Sequence, residues 1–160
     1  MAVPSSQLDR GELQLVTLAS NDPNAQPAGG SAGVAINADY RIRLAVPLLF
    51  EPVEDYVMTV QFASFDPGKD IGLHQVAVSC SAPTLDGSRT KSTVAVIPVY
   101  AANAEFAWWP TATVVPWYPI ASPLLTEIEV EIANISAGAP IAPSATPTVV
   151  TLAFRRVGSL

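Results

Sequence analysis

Apolar and polar residues alternate along most of this chain with a period of two. In residues 39–46, for example, Tyr40 and Ile42 fall on one side of an extended backbone, whereas Arg41 falls on the other. Residues 75–80 repeat the pattern. Successive side chains of a β-strand point to opposite faces, so this alternation predicts strands with one buried face.

About eight segments carry a strand pattern, and turn-forming sequences such as Asp66-Pro67-Gly68 separate them. The predicted strands cover residues 12–18, 39–46, 58–62, 75–80, 93–100, 113–117, 126–135 and 148–157. This spacing predicts an all-β, eight-stranded antiparallel β-sandwich. The single jelly roll is the commonest eight-stranded version, although periodicity does not give the connectivity.

Two further patterns refine this prediction. Fifteen prolines are spread along the chain, and the longest interval without one, residues 28–46, is interrupted by glycines, so a long helix has almost no room to form. Residues 93–100 are apolar at both alternating positions. We therefore predict that this strand is covered on both faces.

Length and composition predict one domain that associates with other chains. A chain of 160 residues forms one core, which we place in residues 12–160, after an extended N-terminal arm in residues 1–11. Hydrophobic residues make up 49% of the chain and charged residues only 14%. Such a surface has little charge to keep a monomer soluble, so we expect other chains to cover part of it.

Charge and cysteine content exclude several classes of protein. The net charge of -6 includes only eight basic residues, so the chain has no basic patch for direct nucleic-acid binding. One cysteine, Cys80, forms no internal disulfide and suits synthesis in a reducing compartment. The first residues lack a signal-peptide pattern, and no apolar run approaches the roughly 20 residues that cross a bilayer. No membrane span is predicted.

Candidate catalytic chemistry is sparse. His74 and Cys80 share strand parity, but six residues of strand would separate them by about 20 Å, too far for a catalytic dyad. Glu127, Glu129 and Glu131 lie on one face of a predicted strand. They could bind calcium or act as paired carboxylates, or they could form a polar sheet face that pairs with Arg41, Arg43, Arg155 or Arg156. We predict no enzyme activity, no cofactor and no metal.

The aromatic residues Trp108, Trp109, Trp117 and Tyr118 are the candidate interface. They fall within eleven residues and are interleaved with prolines. Three interpretations stay open, namely packing into the core, anchoring an interface with another chain, and stacking on a sugar. Tryptophan and tyrosine beside prolines supply a large contact area at low entropic cost, which favours the interface over the sugar site.

The order of these features resembles a family of viral proteins. The residues that carry the resemblance are 13–22, 40–48, 56–60, 125–132, Asn134, Gly138 and 149–155. In these segments the chain is similar to the single jelly-roll minor capsid and penton proteins of virophages, Polinton-type elements and related large double-stranded DNA viruses. The resemblance spans most of the chain and is carried by strand spacing and residue types.

The resemblance implies a capsid structural protein, either a penton-like vertex capsomer or a minor or cement protein. Such a protein would form a homo-oligomer, with a pentamer favoured, and contact other capsid proteins. It would be made in the cytoplasm of the host cell and reside in the virion. The alternative is a β-sandwich that binds a ligand or glycan, either receptor-binding or lectin-like, with the four aromatic residues as its platform.

Overall fold

The computed structural model describes residues 6–7, 13–27, 39–66, 75–82, 91–99, 106–110, 116–135, 139–141 and 146–157. This part of the chain contains twelve β-strands, together with one 3-10 helix at Val53–Asp55. The strands are β1 (Ser6–Gln7), β2 (Leu13–Ala19), β3 (Ala25–Pro27), β4 (Asp39–Leu49), β5 (Tyr56–Phe65), β6 (Gln75–Cys80), β7 (Ser92–Pro98), β8 (Phe106–Trp108), β9 (Tyr118–Pro119), β10 (Leu124–Asn134), β11 (Ala139–Pro140) and β12 (Val149–Arg156).

These strands form two sheets. The seven-stranded sheet has the order β1-β4-β10-β6-β7, with β3 also paired to β4 and β11 to β10. The five-stranded sheet has the order β2-β12-β5-β8, with β9 also paired to β5. All of these pairings are antiparallel except that of β1 with β4. The all-β class and the antiparallel two-sheet arrangement expected of a sandwich are therefore confirmed.

The strands differ in length more than the periodicity indicated. Five of them are only two or three residues long, and the other seven have six to eleven residues. The predicted total of eight is thus not confirmed in this form. Short edge strands escape a search for alternation because two or three residues carry no measurable period.

The core lies between the two sheets and draws on both. Tyr40 from the seven-stranded sheet is fully buried, and its hydroxyl donates a 2.9 Å hydrogen bond to the carbonyl oxygen of Leu18 in the five-stranded sheet. An aromatic group packs at one end of the core, where the ring of Phe50 lies 5.2 Å from that of Tyr56 and 5.3 Å from that of Phe154. The inward sides of the two sheets therefore make a single hydrophobic interior.

The prediction that residues 93–100 are covered on both faces is wrong. Strand β7 lies at an edge of its sheet, where Val94 and Ile97 are buried while Val96 is 48% exposed. The cause is a register shift, since Thr93 opposes Ser79 whereas Ala95 opposes Val78. A bulge of one extra residue reverses the parity of the strand, so apolar residues at both parities serve one inward face.

The predicted strand at 113–117 lies mostly outside the described part of the chain, which omits residues 111–115, and its last two residues, Pro116 and Trp117, are not in a strand. On either side of this segment, β8 ends at Trp108, just before Pro110, and β9 contains Pro119. Proline donates no backbone hydrogen bond, so the closely spaced prolines leave room only for brief pairings.

Of the predicted N-terminal arm, Ser6 and Gln7 are described. They form β1 and pair in parallel with Leu48 and Leu49 at the end of β4. Residues 1–5 and 8–12 lie outside the described part of the chain. In β1 the arm contributes two residues to the seven-stranded sheet.

Candidate interaction surfaces

The outer side of the seven-stranded sheet carries a ladder of charged residues, which we call the charged face. Its members are Asp39, Arg41, Arg43, Glu127, Glu129 and Glu131. Glu129 lies directly opposite Arg41, and Glu127 lies opposite Arg43. This placement agrees with the polar-face interpretation of the three glutamates, although only Glu127 and Glu129 lie opposite arginines and Glu131 lies opposite Asp39. Arg155 and Arg156 belong to the other sheet.

Lys91 lies at one end of the charged face. Its Nζ lies 2.7 Å from Asp39 Oδ1 and 3.3 Å from Glu131 Oε2, and its side chain is only 16% exposed. Burial lowers the pKa of Lys91, but the two carboxylates outweigh burial, so the pKa is raised above its ordinary value. Without Lys91, the directly opposed Asp39 and Glu131 would repel each other across the strand pair.

Lys91→Met is expected to lower the free energy of unfolding by about 1 kcal/mol near neutral pH, because it leaves that repulsion uncompensated. Because the pKa of Lys91 is raised in the folded state, its contribution is complete below the unfolded-state pKa and is lost as the pH rises through the folded-state pKa. Urea denaturation at pH 7 and at increasing alkaline pH measures the difference between the two proteins.

Lys91→Arg is the matched control, since it keeps the positive charge and should retain most of the stability. A Lys91→Met protein as stable as the original at pH 7 would show that the two contacts contribute nothing to the fold.

The outer side of the five-stranded sheet is different, and we call it the apolar face. Strand alternation assigns to it Leu13, Leu15, Thr17, Val57, Thr59, Phe62, Thr151, Ala153 and Arg155. The five strands of this sheet contain no Asp or Glu. Leu13 and Leu15 are 49% and 53% exposed, so apolar side chains reach the surface at its β2 edge.

The segment that contains Trp117 covers the middle of the apolar face. The Thr59 hydroxyl donates a 2.8 Å hydrogen bond to the carbonyl oxygen of Pro116. The Arg155 guanidinium lies 4.2 Å from the centre of the Trp117 ring, in a cation–π contact. Thr59 and Ala153 are consequently buried although they point away from the core.

The four aromatic residues of the predicted interface all lie beside one edge of β5. Strand β8 pairs with β5 at residues 63–65, and β9 pairs with it at Val57 and Met58. The two residues that lie in strands pack differently from the two that lie just outside them. Trp108 and Tyr118 pack against the core, whereas Trp117 is partly buried beneath Arg155 and Trp109 is 59% exposed.

Sequence reasoning missed two features of the apolar face. Arg155 was considered only as a partner for glutamates, and it instead stacks on Trp117. Leu13 and Leu15 were not singled out, although β2 is apolar at both of its parities, with Val16 and Leu18 on the other. That two-sided pattern was the available signal for an exposed apolar strand.

Cys80 is placed in the core. Its side chain is fully buried, and burial raises the pKa of its thiol to about 12, against a smaller opposite effect of a backbone hydrogen bond from Ala82. His74, the other half of the rejected dyad, lies outside the described residues. A buried neutral thiol is a poor nucleophile, so the structure makes Cys80 a core residue.

Two searches of the described residues bear on other kinds of site. No cluster of three or more His, Cys, Asp or Glu side chains suited to a metal ion occurs within that part of the chain. None of the helices among the same residues has the length and hydropathy to cross a membrane. Comparison with protein-family models, curated proteins and solved structures found no match to this chain.

Proposed function

We propose that this protein is a structural protein of a viral capsid, built as a single jelly roll. In this role it is a penton-like vertex capsomer or a minor or cement protein, associates with copies of itself, with a pentamer favoured, and contacts other capsid proteins in the virion. We assign it no reaction and no cofactor. It acts by forming contacts with neighbouring chains.

The pairing of the strands supports the jelly-roll assignment. Eight strands remain when β1, β3, β9 and β11 are treated as short additions. Among those eight, the first pairs with the last (β2 with β12), the second with the seventh (β4 with β10), the third with the sixth (β5 with β8), and the fourth with the fifth (β6 with β7). A jelly roll has this order because it is one long antiparallel hairpin rolled into two sheets.

The observation that carries the functional proposal is the contrast between the two outer faces. Copies with a net charge of -6 repel one another, and the repulsion is weakest where a surface carries no carboxylate. The apolar face meets this condition and exposes Leu13 and Leu15, and Trp109 is exposed just after β8 at the edge of the same sheet. Two chemically different faces on one protein also suit the heterologous contacts that close a ring.

The test is the mass of the purified protein in solution, together with electron microscopy of the particles. We expect a closed ring whose mass is a multiple of the 16.8 kDa chain, with fivefold symmetry favoured. Trp109→Ala should weaken the ring, because large aromatic side chains contribute most to such contacts. Monomers that persist at high concentration, with and without other capsid proteins, would overturn the proposal.

A second candidate is the glycan-binding sandwich, which the exposure of Trp109 on the same sheet edge as Trp117 favours. In that case a monomer should bind a glycan saturably and change its tryptophan fluorescence. Sugars stack on exposed indole faces, so Trp109→Ala would abolish the response. The ring and the saturable glycan response thus separate the two functions.

A further inference from the structure

Strand β2 is an unprotected sheet edge. It pairs with β12 on one side, and within the described part of the chain it has no ladder partner on the other. Its sequence, LQLVTLA, contains no charge, proline or glycine. Edge strands normally carry such residues, a bulge or a very short length, because an open edge pairs readily with another strand.

The other described edges have these protections. Strand β8 is three residues long and is followed closely by Pro110, while β3 is equally short and ends in Pro27. Strand β7 contains the register shift and ends in Pro98. Of the edges compared, β2 alone combines seven residues with an unbroken, uncharged backbone.

The backbone of β2 offers hydrogen-bonding groups to this open side. The N–H of Ser20 donates a 2.9 Å bond to the carbonyl oxygen of Thr148, so the even-numbered residues of β2 face β12. The odd-numbered residues Leu13, Leu15 and Thr17 therefore direct their N–H and C=O groups outward. Among the described residues, the carbonyl oxygen of Leu15 accepts a long, exposed 3.4 Å bond from the side-chain amide of Gln14 and no other.

The space beside this edge is an open groove lined by both apolar and polar side chains. A groove of about 460 Å³ runs between β2 and β4, and Val16, Leu44 and Val46 are among the residues that line it. Leu15, which is 53% exposed, also reaches it. A strand added beside β2 would cover this groove and remove apolar surface from water.

We propose that the occupant of this edge is β2 of a second copy, added antiparallel about a two-fold axis that passes Val16. Leu15 of the first copy then lies opposite Thr17 of the second, and these two residues exchange backbone hydrogen bonds. Thr17 of the first copy does the same with Leu15 of the second. The pairing joins the two five-stranded sheets into one continuous sheet of ten strands.

A second copy fits this edge better than an unrelated chain because the strand is complementary to itself. About a two-fold axis at Val16, each odd-numbered residue of one β2 lies opposite an odd-numbered residue of the other. The outward backbone groups of the two strands therefore meet. The strands of this sheet carry no carboxylate, although Asp22 lines the groove beside β2 together with Arg43. The charge of -6 on each copy therefore opposes a contact here less than on the charged face. A two-fold contact links molecules in pairs and does not close a ring, so the inference goes beyond the proposed capsid role.

The test is a disulfide between copies. In the proposed pairing, Val16 faces Val16 of the second copy at a non-hydrogen-bonded position, with Cα atoms about 4.5 Å apart, which suits a disulfide. Val16→Cys, oxidised at low concentration, should form covalent dimers in high yield. Leu13→Cys is the matched control, because its counterpart lies about 20 Å away and should not cross-link. The native Cys80 is buried and does not compete.

A second measurement does not depend on oxidation. Leu15→Lys places a charge on the edge of both copies and should raise the dimer dissociation constant roughly tenfold or more in analytical ultracentrifugation. Ile135→Lys is its control, since Ile135 is 46% exposed just after β10 of the other sheet. Circular dichroism checks that each variant keeps its strand content.

The outcomes separate this inference from the capsid proposal. Cross-linking of Leu13→Cys equal to that of Val16→Cys, or dimers indifferent to Leu15→Lys, overturns the β2 pairing. A fivefold ring that forms without the Val16→Cys cross-link overturns the pairing and leaves the capsid proposal standing. Dimers linked through Val16→Cys that never assemble further support the pairing and count against the capsid role.

Discussion

Phe154→Ala is expected to lower the free energy of unfolding by about 3–5 kcal/mol, since it removes a fully buried ring from the core. Phe154 is fully buried and lies 5.3 Å from the ring of Phe50, which in turn packs edge-on against Tyr56. Its neighbours sit on two hydrogen-bonded sheets and cannot move far enough to fill the cavity. Urea denaturation followed by tryptophan fluorescence measures the change.

Trp109→Ala provides the control for this measurement. Its indole is 59% exposed, so the folded monomer loses little packing and the free energy of unfolding should change by no more than about 0.5 kcal/mol. Equal destabilisation by the two substitutions would contradict the placement of Phe154 in the core and of Trp109 at the surface. The comparison therefore tests which aromatic residues hold the two sheets together.

The inward faces of the strands could be predicted from the sequence in part, since Val46, which shares the parity of Tyr40, is 48% exposed. Tyr40 and Ile42 are buried, as are Met58 and Val60, and in each pair the alternation with polar residues had indicated the inward side. A strand has a side-chain period of two, so one buried face leaves this trace even in a short segment. The two-sheet architecture followed from the number and spacing of such segments.

Pairing and bulges could not be predicted in the same way. Strand β2 pairs with β12, more than 120 residues later, and no local pattern specifies that contact. The bulge in β7 reverses which positions face inward between Val94 and Ile97. Alternation without a bulge therefore predicts a strand covered on both faces. Both features depend on contacts between segments distant in sequence.

The candidate site was predictable in part. Proline spacing and aromatic content identified the residues beside β5, but not which rings face outward. Trp108 ends β8 and packs against the core, whereas Trp109, just after the strand, is 59% exposed. The cation–π contact between Arg155 and Trp117 joins residues 38 positions apart, and only the fold brings them together.

The sole cysteine is expected to be almost unreactive in the native protein. At pH 8 the Cys80 thiol should react with a dithiobis-nitrobenzoate reagent at least about 10³-fold more slowly than in the unfolded chain, because a pKa near 12 leaves roughly that much less thiolate than an ordinary cysteine has. Burial adds to this by denying the reagent access to the sulfur.

The pH dependence follows from the same raised pKa. The fold favours the neutral thiol, so its contribution to stability is complete below the ordinary pKa of 9.0 and is lost as the pH rises towards 12. Labelling of the native protein should therefore stay slow at pH 8 and accelerate in alkali, as the thiolate and the open state both become more populated. Leu13→Cys, with its position 49% exposed, should label at once under the same conditions. Rapid labelling of one thiol per unmodified chain at pH 8 would contradict the burial of Cys80. It would also contradict the placement of this side of β6 in the core.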